Sequence, residues 1–334
     1  MYGKRLRLED YQAMKNLPSV TAIAAYLKQH PGYQEVMENI SADTIHRGAL
    51  EAQLHMELSR EYLRLVRFAT ARQKSFLIYQ SAEQAMEEIL YYLRLIISGR
   101  QKDYLPRMLP ELAAYCHVDF SHMPPNLTFD QFVQQCRGSI YYNGLSSFVG
   151  KQPLNYTDVE LNLRGTFYRY MQRLIHTYLD KHDARIISDF IGGQIDLLNF
   201  SRIIRCKKFF HQPDDHIYAN IFPYNRRLSS AMIQKMVTAP DWESAYALID
   251  QTPYADFFHT YQEEYVEEYV YRYIFDEARR ILFTQPSGIC VPFAYLQVKQ
   301  VEIRNLIHLI ECVRYGIPPE DIDRHLITRK GGDI

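Results

Sequence analysis

The sequence has no charge excess, few glycines and no long apolar run. Thirty-eight Lys and Arg stand against 39 Asp and Glu, a net charge of −1, which excludes binding of nucleic acid by bulk charge and leaves only local patches. No stretch approaches the roughly 18–20 apolar residues of a spanning helix. The best run, Ile89 to Ile97, is short and broken by Arg94. The N-terminal MYGKRLRLEDY lacks the apolar centre of a secretory signal. Five cysteines (Cys116, Cys136, Cys206, Cys290 and Cys312), odd in number and without C-x-x-C, predict reduced thiols in a cytosolic setting.

Motifs of catalysis are missing too. There is no G-x-G-x-x-G, H-E-x-x-H or EF-hand loop. Gly144 and Gly150-Lys151 imitate a phosphate loop, but the glycines are one residue too far apart and Gln152 replaces the Ser or Thr that would hold magnesium. No Glu-x-x-His occurs, against a di-iron bundle, and no Ser, Cys or Lys nucleophile is paired with a recognisable base. We therefore expect no catalytic residue, no cofactor and no metal. His211 and His216 with Asp214 and Asp215 are the nearest approach to a ligand set, on a stretch that reads as a solvated loop.

What is present is helical periodicity. Hydrophobic residues make up 47% of the 334, ample for packed cores, and a chain of this length predicts two or three subdomains. Only 14 glycines, long periodic segments and no β-hairpin signal give an all-α class. The clearest segment is Gln297 to Glu320. Ile303, Leu306, Ile307, Ile310 and Val313 form one stripe, Gly316 stands where a left-handed C-cap falls, and Pro318-Pro319 stop the helix. Further helices are expected within residues 17–37 (broken at Pro31-Gly32), from Thr44 to Phe76, Ala82 to Ile97, Thr157 to His182, Tyr261 to Phe283 and Pro319 to Leu326, with Lys330 to Ile334 as a frayed tail.

The segment has copies upstream. Glu302-Ile303-Arg304-Asn305-Leu306 aligns with Asp196-Leu197-Leu198-Asn199-Phe200 and with Glu88-Ile89-Leu90-Tyr91-Tyr92, with Arg94, Arg202 and His308 in one column. Two more markers keep the same order at close to one-third of the chain: the tyrosine turns His30-Pro31-Gly32-Tyr33, Ile140-Tyr141-Tyr142 and Thr252-Pro253-Tyr254, and helix starts near Glu51, Glu160 and Glu267. We read a threefold repeat, residues 1–108, 109–216 and 217–334, with proline-marked boundaries at 103–127 and 211–226.

Charged groups fall into three sets. Arg47, Glu51, Arg60, Glu61 and Arg64 read as a solvated helix face. Glu263, Glu264, Glu267 and Glu268 read as an exposed helix start or the face of a basic partner. Arg202, Arg205, Lys207 and Lys208 complement a helix C-terminus or meet an acidic protein, with lipid headgroups or nucleic acid a distant third. With Arg304 and Arg314 these four form the candidate protein-interface set. Gly192-Gly193-Gln194 is read as a turn at the start of a helix.

The residues carry a resemblance. Lys299-x-x-Glu302-x-Arg304-Asn305-Leu306 followed by Ile310 to Gly316 resembles the C-terminal signature of the C/d-subunit family of V-type and archaeal-type rotary ATPases. Asp196-Leu197-x-Asn199 with Arg202, Arg205 and Lys207 resembles its middle signature, and Tyr26-Leu27-Lys28 with Tyr33 its N-terminal region. The bacterial branch is the closer fit. Gln300 and Tyr91 depart from the pattern, which puts individual roles in question rather than membership.

The resemblance implies three pseudo-symmetric helical subdomains forming a funnel. It implies a non-catalytic rotor subunit that couples the central stalk to the membrane proteolipid ring, linking ATP hydrolysis or synthesis to proton or sodium transport. The partners would be those subunits, with no nucleic acid and no direct membrane span, and the location cytoplasmic, peripheral at the membrane. The alternatives are a helical-repeat scaffold for other proteins and, last, a helical enzyme with an unrecognised site.

Overall fold

The computed structural model describes residues 4–38, 40–42, 45–151 and 153–328. Gln152 and the expected tail from Lys330 lie outside the described residues. Among those described the fold is all-helical, with no strand. In chain order the α-helices are α1 (Leu8–Met14), α2 (Val20–Gln29), α3 (Gln34–Met37), α4 (Arg47–Phe68), α5 (Ala71–Leu77) and α6 (Tyr79–Ile97). Then follow α7 (Ala113–Cys116), α8 (Phe129–Gln135), α9 (Tyr142–Ser146), α10 (Tyr156–Tyr178) and α11 (Lys181–Lys208). The last are α12 (Asp214–Ala219), α13 (Ser230–Val237), α14 (Trp242–Ala247), α15 (Ala255–Tyr261), α16 (Glu268–Thr284), α17 (Cys290–Tyr315) and α18 (Pro319–His325).

The chain separates into two compact units: Met1–Leu174 with Pro292–Ile334, and Ile175–Val291. In the first, α6 buries Ile89, Leu90, Tyr92 and Leu93, and α17 buries Ile303, Leu306, Leu309 and Ile310. Both faces have helical spacing; of the stripe expected on α17, Ile303, Leu306 and Ile310 are buried, while Ile307 and Val313 are half-buried and Leu309 takes a place in the core. In the second, α11 buries Ile195, Leu197, Phe200, Ile203 and Ile204.

Helix ends follow local chemistry. Gly316 is left-handed (φ 68°), and Ile317 N–H reaches back to the Cys312 carbonyl at 3.0 Å, closing α17. Gly99 (φ 65°) ends α6 in the same way, with Arg100 N–H on the Leu95 carbonyl at 2.8 Å. The helix expected from Thr44 to Phe76 is two helices over the described residues, Thr44 itself lying outside them. Thr70 and Gln73 form a reciprocal capping box that starts a new helix after Ala69. Asp180 caps α11, accepting from the His182 and Asp183 N–H groups at 2.9 Å each, so α10 stops at Tyr178 rather than His182. The left-handed Gln262 separates α15 from α16, which starts at Glu268.

Two readings are corrected. Gly192-Gly193 is no turn; it lies inside α11. A Cβ on Gly193 would overlap the Tyr273 hydroxyl and ring, and one on Gly192 would come within 2.6 Å of Arg226 Cβ, so the glycines let α11 pack closely. The charged residues of α4 are not a solvated face either. Glu51, Glu57 and Glu61 are buried. Arg47 Nε donates to Glu51 at 2.6 Å, and Arg64 Nη1 donates to Glu61 at 2.7 Å and Glu57 at 3.3 Å. Tyr295 Oη completes this cluster, donating to Glu61 at 2.9 Å. Paired in this way, carboxylates can sit inside a helix interface.

Candidate protein-interaction site

The acids aligned in the sequence are buried clamps. In the second unit Asp196 of α11 accepts N–H bonds from Arg226 (2.9 Å), Arg227 (2.6 Å) and Leu228 (3.1 Å), and the Tyr254 hydroxyl donates to it at 2.8 Å. One turn on, the buried Asn199 accepts from Phe222 N–H at 2.7 Å and donates to the carbonyls of Phe222 and Tyr224 at 3.0 and 3.2 Å. A short acid and an amide three residues apart thus hold the non-helical 222–228 stretch against the helix.

In the first unit Glu302 of α17 has the corresponding role. Tyr33 Oη donates to its Oε1 at 2.6 Å and Lys299 Nζ at 2.7 Å, while Arg5 Nε and Leu6 N–H donate to Oε2, each at 3.3 Å. Asn305 grips Ile327, accepting its N–H at 3.0 Å and donating to its carbonyl at 2.9 Å. Burial alone would raise the Glu302 carboxyl, but Lys299 and Arg5 outweigh it and hold the group below the ordinary carboxylate range.

The α6 version is altered. Glu88 accepts the Arg107 N–H, but Tyr91 replaces the amide and lies under the Arg107 guanidinium at 3.6 Å. Of the paired tyrosines it is Tyr141 that is buried, and its hydroxyl reaches the Ala82 carbonyl at 2.8 Å instead of the acid. With fewer compensating donors, burial pushes the Glu88 carboxyl up to about 7. Alignment found the acid and amide columns. It did not show that Tyr33 and Tyr254 donate to acids 269 and 58 residues away in the chain.

The six candidate interface cations divide. Arg202 donates to the Asn220 carbonyl at 3.4 Å and covers the Phe222 ring at 4.9 Å. Lys207, with its side chain buried, donates to the Ala239 carbonyl at 2.7 Å. Arg304 donates to the His325 carbonyl at 3.5 Å. These three face inward to backbone. Arg205, Lys208 and Arg314 are exposed. Arg205 meets Glu267 at 3.0 Å, Lys208 lies over the Trp242 ring at 4.2 Å and Arg314 beside the Tyr315 ring at 5.2 Å. Arg202, Arg205, Lys207 and Lys208 belong to one compact unit, Arg304 and Arg314 to the other.

Exposed apolar groups flank the exposed cations. Phe209 and Phe210 are 61% and 59% exposed just after α11, and Tyr315 is 69% exposed at the end of α17. Aromatic and basic side chains together are what the energetic centres of protein interfaces use. The four glutamates are not one such face. Glu263 pairs with Arg272 at 2.8 Å in buried surroundings and Glu268 is buried, leaving Glu264 exposed and Glu267 partly so. Among the described residues His211, His216, Asp214 and Asp215 do not converge, whereas Asp180, His182 and Asp183 have ligand atoms within 4.8 Å of one another. There Asp180 is already the cap of α11.

The family model described as ATP synthase (C/AC39) subunit matches residues 1–325. The C subunit of the A-type ATP synthase of Archaeoglobus fulgidus is 23% identical over 335 residues, spanning 98% of this chain and 93% of that protein. Its namesake in Thermococcus kodakarensis is 21% identical over 300 residues, spanning 87% of this chain and 78% of that protein. The chain belongs to the ATP synthase (C/AC39) subunit family. Among the described residues no helix is long and apolar enough to cross a membrane.

Proposed function

We propose that the chain is a non-catalytic rotor subunit of a V/A-type ATPase. It joins the central stalk to the membrane proteolipid ring, so that ATP hydrolysis or synthesis is linked to proton or sodium transport. In this reading the three repeats, 1–108, 109–216 and 217–334, form a funnel, and the protein sits at the cytoplasmic side of the membrane through its complex. The family match over residues 1–325 carries the reading. The clamps add a physical reason. A coupling that transmits torque must resist shear between helices and the segments beside them. Buried charge-assisted bonds such as those on Asp196 and Glu302 fix those segments directionally, each bond contributing about 1.5–3 kcal/mol.

The test is co-expression with the stalk and proteolipid subunits of the same organism, followed by purification through a tag on this chain. Stoichiometric capture of both supports the coupling role. Folded protein that captures neither overturns it and leaves the general helical scaffold.

A further inference from the structure

We propose that the junction of α4 and α5 is a contact for an anionic lipid surface, with Phe68 entering the headgroup layer and Arg67, Arg72 and Lys74 meeting lipid phosphates. The rotor reading contributes only the nearness of a membrane; a contact with the lipid itself goes beyond it.

The charge at this junction is of one sign. From Tyr62 to Ala82 the chain has no Asp or Glu and four cations, Arg64, Arg67, Arg72 and Lys74, in a protein whose charges otherwise nearly balance. Arg64 is committed inward, to Glu35, Glu57 and Glu61 at 2.5, 3.3 and 2.7 Å. Arg67, Arg72 and Lys74 are exposed. Phe68, the last residue of α4, stands among them. At 88% exposure it is the most exposed large hydrophobic side chain among the described residues.

The junction is held in one shape. Ala69 N–H closes α4 on the Val66 carbonyl at 3.2 Å. Thr70 and Gln73 open α5 through reciprocal bonds of 2.9 and 3.3 Å, and the buried Phe76 and Leu77 anchor it. The ring and the cations are thus presented on an ordered backbone, which lowers the entropy lost on contact.

The surroundings of the ring separate lipid from protein as the occupant. From Arg67 to Ser75 the only other exposed apolar residue is Ala71. A protein hot spot sets its aromatic in a patch from which water is excluded. The adjacent rings Phe209 and Phe210 beside Lys208 come closer to that description than Phe68 does. A lone ring flanked by cations on both sides matches the interfacial mode, in which cations meet phosphates and the ring enters the boundary between headgroups and chains. Such a contact gives reversible adhesion rather than anchoring, and it adds to subunit contacts through effective concentration.

The test uses the purified full-length chain without other subunits, so failure to capture stalk or ring proteins leaves its result untouched. Vesicles of phosphatidylcholine with about one-third phosphatidylserine should carry the chain upward in flotation, less so at high salt, and vesicles of phosphatidylcholine alone should carry much less. Arg67→Glu with Lys74→Glu should weaken binding by about 20-fold or more, at about fivefold per cation, and Phe68→Ser by about tenfold. All three side chains are exposed, so unfolding midpoints should stay near the parent. Arg205→Glu with Lys208→Glu should leave vesicle binding unchanged. Equal binding to both vesicle types, or loss of binding in the α11 variant and not in the α4–α5 variants, overturns the site. The chain has one tryptophan, Trp242. In a Trp242→Phe background, Phe68→Trp places the sole indole at the junction, where anionic vesicles should shift its emission to the blue and brominated lipid should quench it. Emission unmoved by anionic vesicles overturns the insertion of residue 68. A folded chain that ignores anionic vesicles, yet loses capture of an acidic subunit on Arg67→Glu with Lys74→Glu, overturns the lipid contact and assigns the junction to a protein.

Discussion

Tyr33 and Glu302 are separated by 269 residues and joined by a 2.6 Å hydrogen bond. Through it, and through Arg5 and Leu6, the front of the chain is fastened to its last long helix. The Glu302 carboxylate also neutralises the buried Lys299. Glu302→Gln leaves Lys299 and Arg5 without this anion, and loss of about 3–5 kcal/mol is expected from denaturant unfolding.

The sign of the pH effect follows from the depressed carboxyl of Glu302. The unfolded chain takes up this proton first as pH falls below about 4.5, so the stabilisation is complete above that value and is lost as pH drops through the lower folded pKa. Glu302→Gln should therefore remove part of the acid sensitivity. An unchanged slope of stability against pH in that window would show that Glu302 is not charged in the fold.

Asp196 and Asn199 hold the same stretch from two positions of α11. Asp196→Ala strands three backbone N–H groups and the Tyr254 hydroxyl. It should cost more than Asn199→Ala, on the order of 4 kcal/mol against 2. Tyr254→Phe, which removes one donor and leaves three, should cost about 1–2 kcal/mol. Thermal unfolding of the three variants gives the order, and a larger loss for Tyr254→Phe than for Asp196→Ala would reverse the assigned hierarchy.

Much of this was legible in the sequence, because periodicity and register survive without coordinates. The stripe on α17, its Gly316 end and the Asp196–Asn199 and Glu302–Asn305 pairs are local spacings. The misread parts depend on what lies opposite. Glu51 and Glu61 alternate with arginines as a wet face would, and only the packing of Tyr295 against Glu61 shows that the face is inside. Gly192-Gly193 has turn composition, and nothing nearby in sequence announces Tyr273. Likewise Lys207 and Lys208 are neighbours of one type, but helix rotation sends one to a backbone carbonyl and the other to the surface.

Two glycines inside helices should respond oppositely to alanine. At Gly193 the added methyl meets Tyr273, and overpacking should cost about 1–3 kcal/mol. At Gly165 in α10 the added methyl would lie 3.6 Å from Arg169 Nη1, an ordinary contact. There the gain in helix propensity should stabilise by about 0.5–1 kcal/mol. Melting temperatures moving in the same direction would contradict the close packing assigned to Gly193.

Glu88 gives a pH effect opposite to that of Glu302. With its carboxyl raised to about 7 by burial, the folded state holds a proton that the unfolded chain releases near 4.5. Stability then falls as pH rises across that interval, by on the order of 3 kcal/mol. Glu88→Gln keeps an acceptor for the Arg107 N–H but cannot ionise. It should match the parent near pH 4, below the unfolded value, and exceed it at pH 8. Glu57 and Glu83, also raised to about 7, should leave a residual slope in the variant. Equal stability of parent and variant at both pH values would place the Glu88 pKa in the ordinary range.

Charge reversal separates the interface reading from the structural one within a single helix end. The Arg205–Glu267 pair is exposed, and such pairs contribute about 0–1 kcal/mol, so Arg205→Glu with Lys208→Glu should leave unfolding nearly unchanged. Lys207→Glu instead drives a carboxylate toward the Ala239 carbonyl from a buried position and should destabilise by about 2–4 kcal/mol. If the exposed cations meet an acidic partner, the stable double variant loses capture of stalk or ring proteins, and raising the salt weakens capture by the parent chain. Undiminished capture by that folded double variant would remove Arg205 and Lys208 from the contact surface and leave the aromatic pair Phe209 and Phe210 as the next residues to test.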